Sequence, residues 1–202
     1  MNPSLATLAV IVAAYLIGSV SFAVVVSKLF GLPDPRSYGS GNPGATNVLR
    51  TGNKAAALLT VLGDGVKGFA AVVIAYHLGV SWGDASLATA GAALAVFLGH
   101  LYPIFHRFAG GKGASTAAGI AFGLSWQLGL AVLIVWLVIA LAFRISSLAA
   151  IVAAIAAPPL GFYFLGNWPE AWALIPIAVL LVWRHRANIR KLLAGNETKI
   201  GA

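Results

Sequence analysis

Two polar, glycine-rich stretches interrupt an otherwise apolar sequence, and both carry groups that bind anions. The first stretch, Gly39–Arg50, combines glycines and a proline with hydroxyls and amides and ends in an arginine. Glycine and proline favour tight turns, in which successive backbone N–H groups can surround an anion. Arginine adds a forked, permanent cation. We expect an anion-binding loop here; the alternative is a plain connecting loop. The candidate site residues are Ser40, Gly41, Asn42, Gly44, Thr46, Asn47 and Arg50.

The second stretch, His106–Thr116, contains the segment Gly110-Gly111-Lys112-Gly113. It resembles a phosphate loop but lacks the earlier glycine of a Walker A motif. Gly113 opens a predicted helix, and the N-terminal N–H groups and dipole of a helix favour an anion. The alternative is an interfacial lysine beside helix-capping glycines. The candidates are Gly110, Gly111, Lys112, Gly113, Ser115 and Thr116.

Further candidates lie outside the two stretches. His185, Asn188 and Lys191 are three apart and share one helical face. The alternative for that face is a basic anchor for anionic lipids. Three more candidates are His100 at the end of a predicted helix, Ser147 in a polar turn and Glu197 in the tail. His100 could equally be a hydrogen-bonded structural histidine. Asp64 and Lys67 share a face within a predicted span, and we interpret them as a structural ion pair.

The composition places these residues in a membrane protein. The 202 residues are 60% hydrophobic and only 9% charged, and their mean hydropathy is +0.91; a soluble domain has roughly 25% charged residues. There is no cysteine, which excludes a disulfide framework, a thiolate nucleophile and a Cys-ligated metal. We expect one all-α membrane domain over residues 1–202, surrounded by membrane lipids, with no cofactor, metal or nucleic acid as partner.

The hydrophobic runs predict seven membrane helices, some of them short. The first run has no basic segment before it, so we expect a retained helix and not a cleaved signal peptide. Ala114–Phe143 is too long for one span, and Gly123–Gln127 divides it into a short and a full helix. The other predicted helices are Leu5–Leu29, Ala55–Leu78, Ala85–Phe105, Leu148–Leu165 and Ala171–Trp183; Gly31–Lys54, Gly79–Asp84, His106–Gly113, Arg144–Ser147 and Gly166–Glu170 connect them.

The distribution of charge supports this count. Of the 13 Lys and Arg residues, all but Lys67 fall in or beside the connections on one side and the C-terminal tail. The opposite connections contain Asp84 and Glu170 but no Lys or Arg. The positive-inside rule then predicts an outside N-terminus and a cytoplasmic C-terminus. Both glycine-rich stretches therefore lie at the cytoplasmic face.

Several common catalytic arrangements are missing from the sequence. It has no His-x-x-x-x-Asp pair, no Gly-x-Ser-x-Gly elbow and no paired acidic metal site. Two interpretations remain. The chain is either an anion-binding enzyme without its own nucleophile or a small transporter or channel for an anionic metabolite. The polar residues gather on one side and not at the midplane, and no inverted repeat is visible, so the transporter is the alternative interpretation.

At these residues the sequence resembles the bacterial acyl-phosphate:glycerol-3-phosphate acyltransferases (the PlsY family). The resemblance rests on segments 39–47, 99–100, 110–113, 185–188 and 195–199 and covers the whole chain. It implies seven spans in the bacterial inner membrane and a cytoplasmic active site. The implied reaction moves a fatty acyl group from acyl phosphate to the 1-hydroxyl of glycerol 3-phosphate, which yields lysophosphatidic acid and phosphate without a cofactor or metal.

This resemblance implies roles for the candidate residues. The catalytic set is Ser40, Arg50, Lys112, His185 and Asn188, and the remaining candidates bind substrate. We expect the Gly110–Gly113 loop, with Ser40 and Thr46, to hold the leaving phosphate. Arg50, His185 and Asn188, together with Lys191, would hold the glycerol phosphate. The base that takes the hydroxyl proton is either His185 or an oxygen of the donor phosphate.

Overall fold

The chain folds into a bundle of α-helices. The computed structural model describes residues 3–200, and that part of the chain contains no β-strand. A 3-10 turn, Ile104–His106, follows the fifth helix. The helices are α1 Pro3–Gly18, α2 Phe22–Leu29, α3 Ala45–Leu49, α4 Lys54–Ser81, α5 Ala85–Leu101, α6 Ala114–Leu124, α7 Trp126–Phe143, α8 Ser146–Leu165, α9 Pro169–Arg184 and α10 Arg186–Leu193.

Among the described residues, four helical segments are long and apolar enough to cross a membrane: α4, α5 with the turn after it, α7 and α8. The count is five if the bent pair α1 and α2 forms one span. Helices α6 and α9 are shorter, with 11 and 16 residues. The predicted division of residues 114–143 is confirmed, because α6 ends and α7 begins around Ser125. The count of seven spans stays a prediction.

The first predicted helix is not continuous. Residues 19–21 break it, and α1 and α2 meet at a bend of 42°. The Ser19 hydroxyl bonds back to the Tyr15 carbonyl oxygen at 2.9 Å, a bond that competes with regular helix geometry. The ammonium group of Lys67 on α4 donates to the Val20 carbonyl oxygen at 2.7 Å. The break therefore leaves a carbonyl group that a distant side chain satisfies, which the hydropathy pattern could not indicate.

Small residues bring the central helices close together. A Cβ atom on Gly99 of α5 would collide with the backbone of α1, and one on Gly119 of α6 would collide with the backbone of α4 at Gly65. A Cβ atom on Gly123 would come within 3.0 Å of the Val72 side chain, which is also on α4. Close backbone approach through small residues is how helices associate in lipid. In the sequence, Gly91, Ala95 and Gly99, and likewise Gly119 and Gly123, recur at four-residue spacing, which predicts helix-contact faces. The close contacts of Gly99, Gly119 and Gly123 confirm this prediction.

The connections gather at the two ends of the bundle. Helix α4 runs from the first glycine-rich stretch to the turn at 82–84, and α5 returns to the second stretch, so both stretches lie at one end. Some bounds at this end differ from the predicted elements. Helix α3 forms inside the first loop, α5 ends at Leu101 instead of Phe105, and the helix of the basic tail, α10, begins only after His185.

Candidate active site

The side chain of Asn47 organises the first loop. Its Oδ1 atom accepts from the backbone N–H of Ser40 at 3.0 Å and from Arg50 at 3.3 Å. Its Nδ2 atom donates to the carbonyl oxygens of Pro35 at 2.6 Å and Tyr38 at 3.1 Å. The side chain is 2% exposed, and these bonds use its full hydrogen-bonding capacity. Asn47 therefore shapes the loop and orients Arg50, and its amide is not free for a substrate.

The other polar groups of the first loop remain accessible. Ser40, Gly41, Thr46 and Arg50 are exposed. The Ser40 hydroxyl accepts from the N–H of Asn42 at 3.4 Å and keeps its own proton available. Gly44 precedes α3, whose first turn has no side-chain cap. The loop thus presents hydroxyl and guanidinium donors toward its open side.

The second loop is held on both faces by α5 and α9. The N–H of Gly111 donates to the His100 carbonyl oxygen at 3.1 Å. Arg184 donates to the carbonyl oxygens of Gly110 at 2.7 Å and Gly111 at 3.2 Å. Gly113 has φ +88°, a conformation that favours glycine, and a Cβ atom there would collide with the Phe97 ring. These contacts fix the backbone that carries Lys112.

Lys112 belongs to a hydrogen-bonded series of side chains whose members lie far apart in the sequence. Its Nζ atom donates to Oδ1 of Asn188 at 2.5 Å. Asn188 donates through Nδ2 to Glu197 at 2.7 Å, and the Ser147 hydroxyl donates to the same carboxylate oxygen at 2.9 Å. The Ile200 N–H also bonds the Arg144 carbonyl oxygen at 2.6 Å. The C-terminal tail is thereby tied across the site.

Lys112 has a neutral direct partner, and so does Arg50. Within residues 3–200, neither side chain forms an ion pair with a carboxylate; the ion pairs are those of Asp34 and Asp64. Burial lowers the pKa of the Lys112 ammonium group, while the Glu197 carboxylate acts to raise it and nearby cations, including Arg50, lower it again. The site therefore concentrates more positive charge than the nearby Glu197 carboxylate offsets.

His185 is buried in its neutral form. Its Nδ1 atom lies 2.8 Å from the Leu181 carbonyl oxygen, and because a carbonyl only accepts, Nδ1 carries the proton. The side chain is 3% exposed, and burial lowers its pKa to about 4. The hydrogen bond to Leu181 opposes this change, and the Lys112 charge adds to it. The lone pair on Nε2 is left as an acceptor.

The remaining candidates occupy different environments. His100 and Thr116 are buried and lie within hydrogen-bond distance of each other, with 3.1 Å between Nδ1 and Oγ1. Ser115 is half-buried in the first turn of α6, and Lys191 is exposed on α10. Asp64 and Lys67 form the expected ion pair at 2.8 Å.

The structure brings the two loops together. A Cβ atom on Gly111 would lie 3.1 Å from the Pro43 carbonyl oxygen of the first loop. The charge of Arg50 also acts on Lys112. Arg184 is not among the site candidates predicted from the sequence, where it is one of several basic residues near the C-terminus. Its position next to His185 was the available signal, but its role depends on two backbone carbonyls about seventy residues earlier in the chain.

The family of this chain follows from its similarity to known proteins. The model of the family described as "Glycerol-3-phosphate acyltransferase" matches residues 8–195. The chain belongs to the glycerol-3-phosphate acyltransferase family. The resemblance noted from the sequence motifs is thus confirmed at the level of the family.

Relatives in this family cover nearly the whole chain. The chain is 62% identical to a glycerol-3-phosphate acyltransferase of Cupriavidus metallidurans over 94% of each chain. It is 59% identical to one of Ralstonia nicotianae over 100% of this chain and 97% of the relative. Among solved structures, it is similar to PlsY, an integral membrane glycerol 3-phosphate acyltransferase, in its glycerol 3-phosphate form. That match has a TM-score of 0.87 and 41% identity over 96% of both chains. The chain is thus an all-helical integral membrane member of the family.

Proposed function

We propose that this membrane enzyme transfers a fatty acyl group from acyl phosphate to the 1-hydroxyl of glycerol 3-phosphate. The observation that carries the proposal is the pair of facing loops whose cations, Lys112 and Arg50, have neutral amide partners. Two substrates with phosphate groups would use two such loops. The solved relatives' glycerol 3-phosphate and lysophosphatidic acid forms support the acceptor and the product.

The bond changes need no covalent enzyme intermediate. The acceptor hydroxyl oxygen attacks the carbonyl carbon of the acyl phosphate, which is an activated mixed anhydride. The bond from that carbon to the phosphate oxygen breaks, the hydroxyl proton leaves, and lysophosphatidic acid and phosphate result. Charge grows on the leaving phosphate as its bond breaks, so fixed donors there stabilise the transition state most.

We assign the leaving phosphate to the Gly110–Gly113 loop, with Lys112 and the hydroxyls of Ser40 and Thr46. We assign glycerol 3-phosphate to Arg50, together with His185 between α9 and α10 and with Asn188 and Lys191 on α10. Asn188 also positions Lys112, through the hydrogen bond to its ammonium group. The contacts support a division of labour in which Asn47, Ser147, Glu197 and Arg184 shape the site without needing to touch substrate.

The pKa of His185 bears on the choice of base. A histidine with a pKa of about 4 is a weak base at neutral pH. A phosphate monoester has a second pKa of about 6, and the electron-withdrawing acyl group lowers that of an acyl phosphate. The donor phosphate is therefore fully ionised near neutral pH, and its oxygen lies beside the carbonyl carbon that the hydroxyl attacks. We infer that this oxygen takes the hydroxyl proton, while Nε2 of His185 accepts a hydrogen bond that orients the acceptor.

The pH profile tests this inference. The depressed pKa keeps His185 neutral from pH 5 to 8, so an inflection of activity in that range reports the ionisation of a substrate phosphate and not of His185. His185→Gln keeps an acceptor without a titrating group. We expect slower turnover with an unchanged inflection when kcat/KM is measured against pH. An inflection that disappears in His185→Gln would instead identify His185 as the titrating base.

The decisive test of the function uses the purified chain in lipid with radiolabelled glycerol 3-phosphate. Palmitoyl phosphate and palmitoyl-CoA are supplied separately, without added metal and with or without EDTA. We expect lysophosphatidic acid from the acyl phosphate alone, an equal amount of phosphate and no effect of EDTA. Product from palmitoyl-CoA alone would refute the proposed donor. Uptake of glycerol 3-phosphate into sealed vesicles, with no product from either donor, would refute acyl transfer.

We also propose seven spans, with the N-terminus outside and the active site at the cytoplasmic face of the bacterial inner membrane. All Lys and Arg residues except Lys67 lie in or beside the connections at the site's end of the bundle, in accord with the positive-inside rule.

Cysteine labelling checks this orientation, because the chain has no native cysteine. Asn42→Cys lies in the first loop, and Asn167→Cys is exposed at the opposite end. In intact cells, an impermeant maleimide should label position 167 and leave position 42 unlabelled until the cells are opened. External labelling of position 42 would reverse the assignment.

A further inference from the structure

We propose that Asp64, Lys67 and His100 form a buried positioning network that holds the Gly110–Gly113 loop, and with it Lys112, in the orientation the reaction needs. The proposal rests on the proposed function, since it gives these residues a part in the same site. All three side chains are buried, with exposed fractions of 3%, 4% and 7%. None of them is among the residues assigned above to either phosphate, although sequence analysis placed His100 at the substrate.

One end of the network is the break between α1 and α2. Lys67 donates to the Val20 carbonyl oxygen at 2.7 Å, where the helix has lost its regular bonding. The same ammonium group lies 2.8 Å from Oδ1 of Asp64. An unpaired carbonyl group or a lone charge is energetically costly inside a membrane protein. Separation of the Lys67 ammonium group from the Asp64 carboxylate and the Val20 carbonyl is therefore unfavourable. The pair therefore fixes α4 against the first span.

The middle of the network connects α4 to α5 and α6. The Oδ1 atom of Asp64 lies 3.5 Å from Nδ1 of His100. That nitrogen is also 3.1 Å from the hydroxyl of Thr116, which is fully buried in the first turns of α6. The ring of His100 thus contacts one polar group on α4 and one on α6.

The other end of the network is the loop itself. The His100 carbonyl oxygen accepts from the N–H of Gly111, and Nε2 of the ring lies so close that a Cβ atom on Gly111 would collide with it. A Cβ atom on Gly110 would collide with the same carbonyl oxygen. The loop backbone therefore packs directly against both the backbone carbonyl oxygen and the Nε2 atom of His100. Lys112 is the next residue, so a shift of the ring would shift its ammonium group.

An ion pair for stability alone would not need this geometry. Well-packed apolar residues often replace a buried ion pair without loss of stability. A reactive group that moves by about 1 Å can lose roughly a hundredfold in rate. The network therefore fits a positioning role. Its removal should lower the rate of the reaction more than the stability of the folded protein.

Kinetics of a neutral double variant test the proposal. Asp64→Asn with Lys67→Met removes both charges together and avoids a lone buried charge. We expect kcat to fall about 10- to 100-fold and KM for acyl phosphate to rise, while KM for glycerol 3-phosphate stays within about twofold. A smaller folded fraction would lower kcat without changing either KM. Unchanged kcat, or equal changes in the two KM values, would overturn the proposal.

Variants at the histidine provide a rescue control. Asparagine places an amide near the position of Nδ1 and can keep the hydrogen bond to Thr116 on α6 and the polar contact with Asp64 on α4, whereas leucine has a similar size and no polar atom. We expect His100→Asn to retain much more activity than His100→Leu, at equal folded yield. Equal activities would show that the hydrogen bonds of the ring do not matter.

A spin label measures the loop without any substrate. Ala109→Cys is exposed beside the loop, and Ser81→Cys, at the far end of α4, is the matched control. The neutral double variant should increase the label's mobility at position 109 and leave position 81 unchanged. Unchanged mobility at 109 in a folded double variant would refute the network. Because the mobility of the label is measured without substrate, this test remains valid even if the acyl donor proves to be a different compound.

Discussion

Lys112→Ala should lower kcat about 1000-fold while leaving the amount of folded protein nearly unchanged. Removal of one fixed donor from a developing anion typically costs 10²–10³ in rate, and here the lost donor is also the cation nearest the proposed leaving phosphate. The loss of stability should be small, because Lys112 lies in a loop whose backbone is held by Arg184 and His100. The measurement is phosphate release from palmitoyl phosphate by purified variant, alongside size-exclusion chromatography and a thermal melt.

Lys28→Ala is the matched control for this variant. Lys28 is an exposed lysine in the last turn of α2, and no site residue contacts it among the hydrogen bonds and ion pairs of the described chain. The control should keep full activity. A rate for Lys112→Ala within threefold of the control would remove Lys112 from the chemistry.

The sequence predicted the parts of the fold that depend on local composition and charge. The length of the apolar run over residues 114–143 and the polar residues within Gly123–Gln127 predicted a boundary, which the asymmetry of Lys and Arg supported. The structure has that boundary around Ser125. Glycine spacing identified contact faces on α5 and α6 for the same reason, since close packing requires small residues wherever the partner lies. Neither inference needed knowledge of a distant contact.

The parts that the sequence did not reveal depend on groups far apart in the chain. Residues 5–29 form a continuous apolar run, and nothing in them indicates that Lys67 will satisfy a carbonyl group at Val20. Likewise, Arg184 looks like one cation of a basic tail until the loop carbonyls of Gly110 and Gly111 are brought to it. Hydropathy and spacing contain no information on such pairings.

The candidate site shows the same division in its details. The residue types that could bind phosphate were apparent from the two glycine-rich stretches. The sequence did not show which of these side chains form hydrogen bonds within the protein instead. Asn47 and Thr116 looked like donors for an anion, and both are instead buried among protein partners. A short polar side chain in a tight loop has two possible uses, and only the path of the backbone decides between them.

Arg50→Lys should lower kcat/KM for glycerol 3-phosphate about 100-fold or more. One N–H group of Arg50 donates to Asn47 at 3.3 Å, which leaves the rest of the guanidinium fork free for two parallel bonds to a phosphate. A lysine keeps the charge, but it cannot reproduce the fork or the bond that orients it. The effect should therefore appear in the dependence of the rate on glycerol 3-phosphate, with KM for acyl phosphate changed much less.

Arg36→Lys makes the same substitution in the same loop and serves as the control for Arg50. Arg36 pairs with Asp34 at 2.5 Å, but both side chains are more than one third exposed. An exposed pair of this kind contributes only about 0–1 kcal/mol to stability, so the control should keep the activity of the parent chain. If both variants lose activity equally, the loop is sensitive to any change, and the result contradicts a specific role of Arg50 in binding glycerol 3-phosphate. If neither does, a single charge at position 50 is enough, and the bidentate contact is not part of acceptor binding.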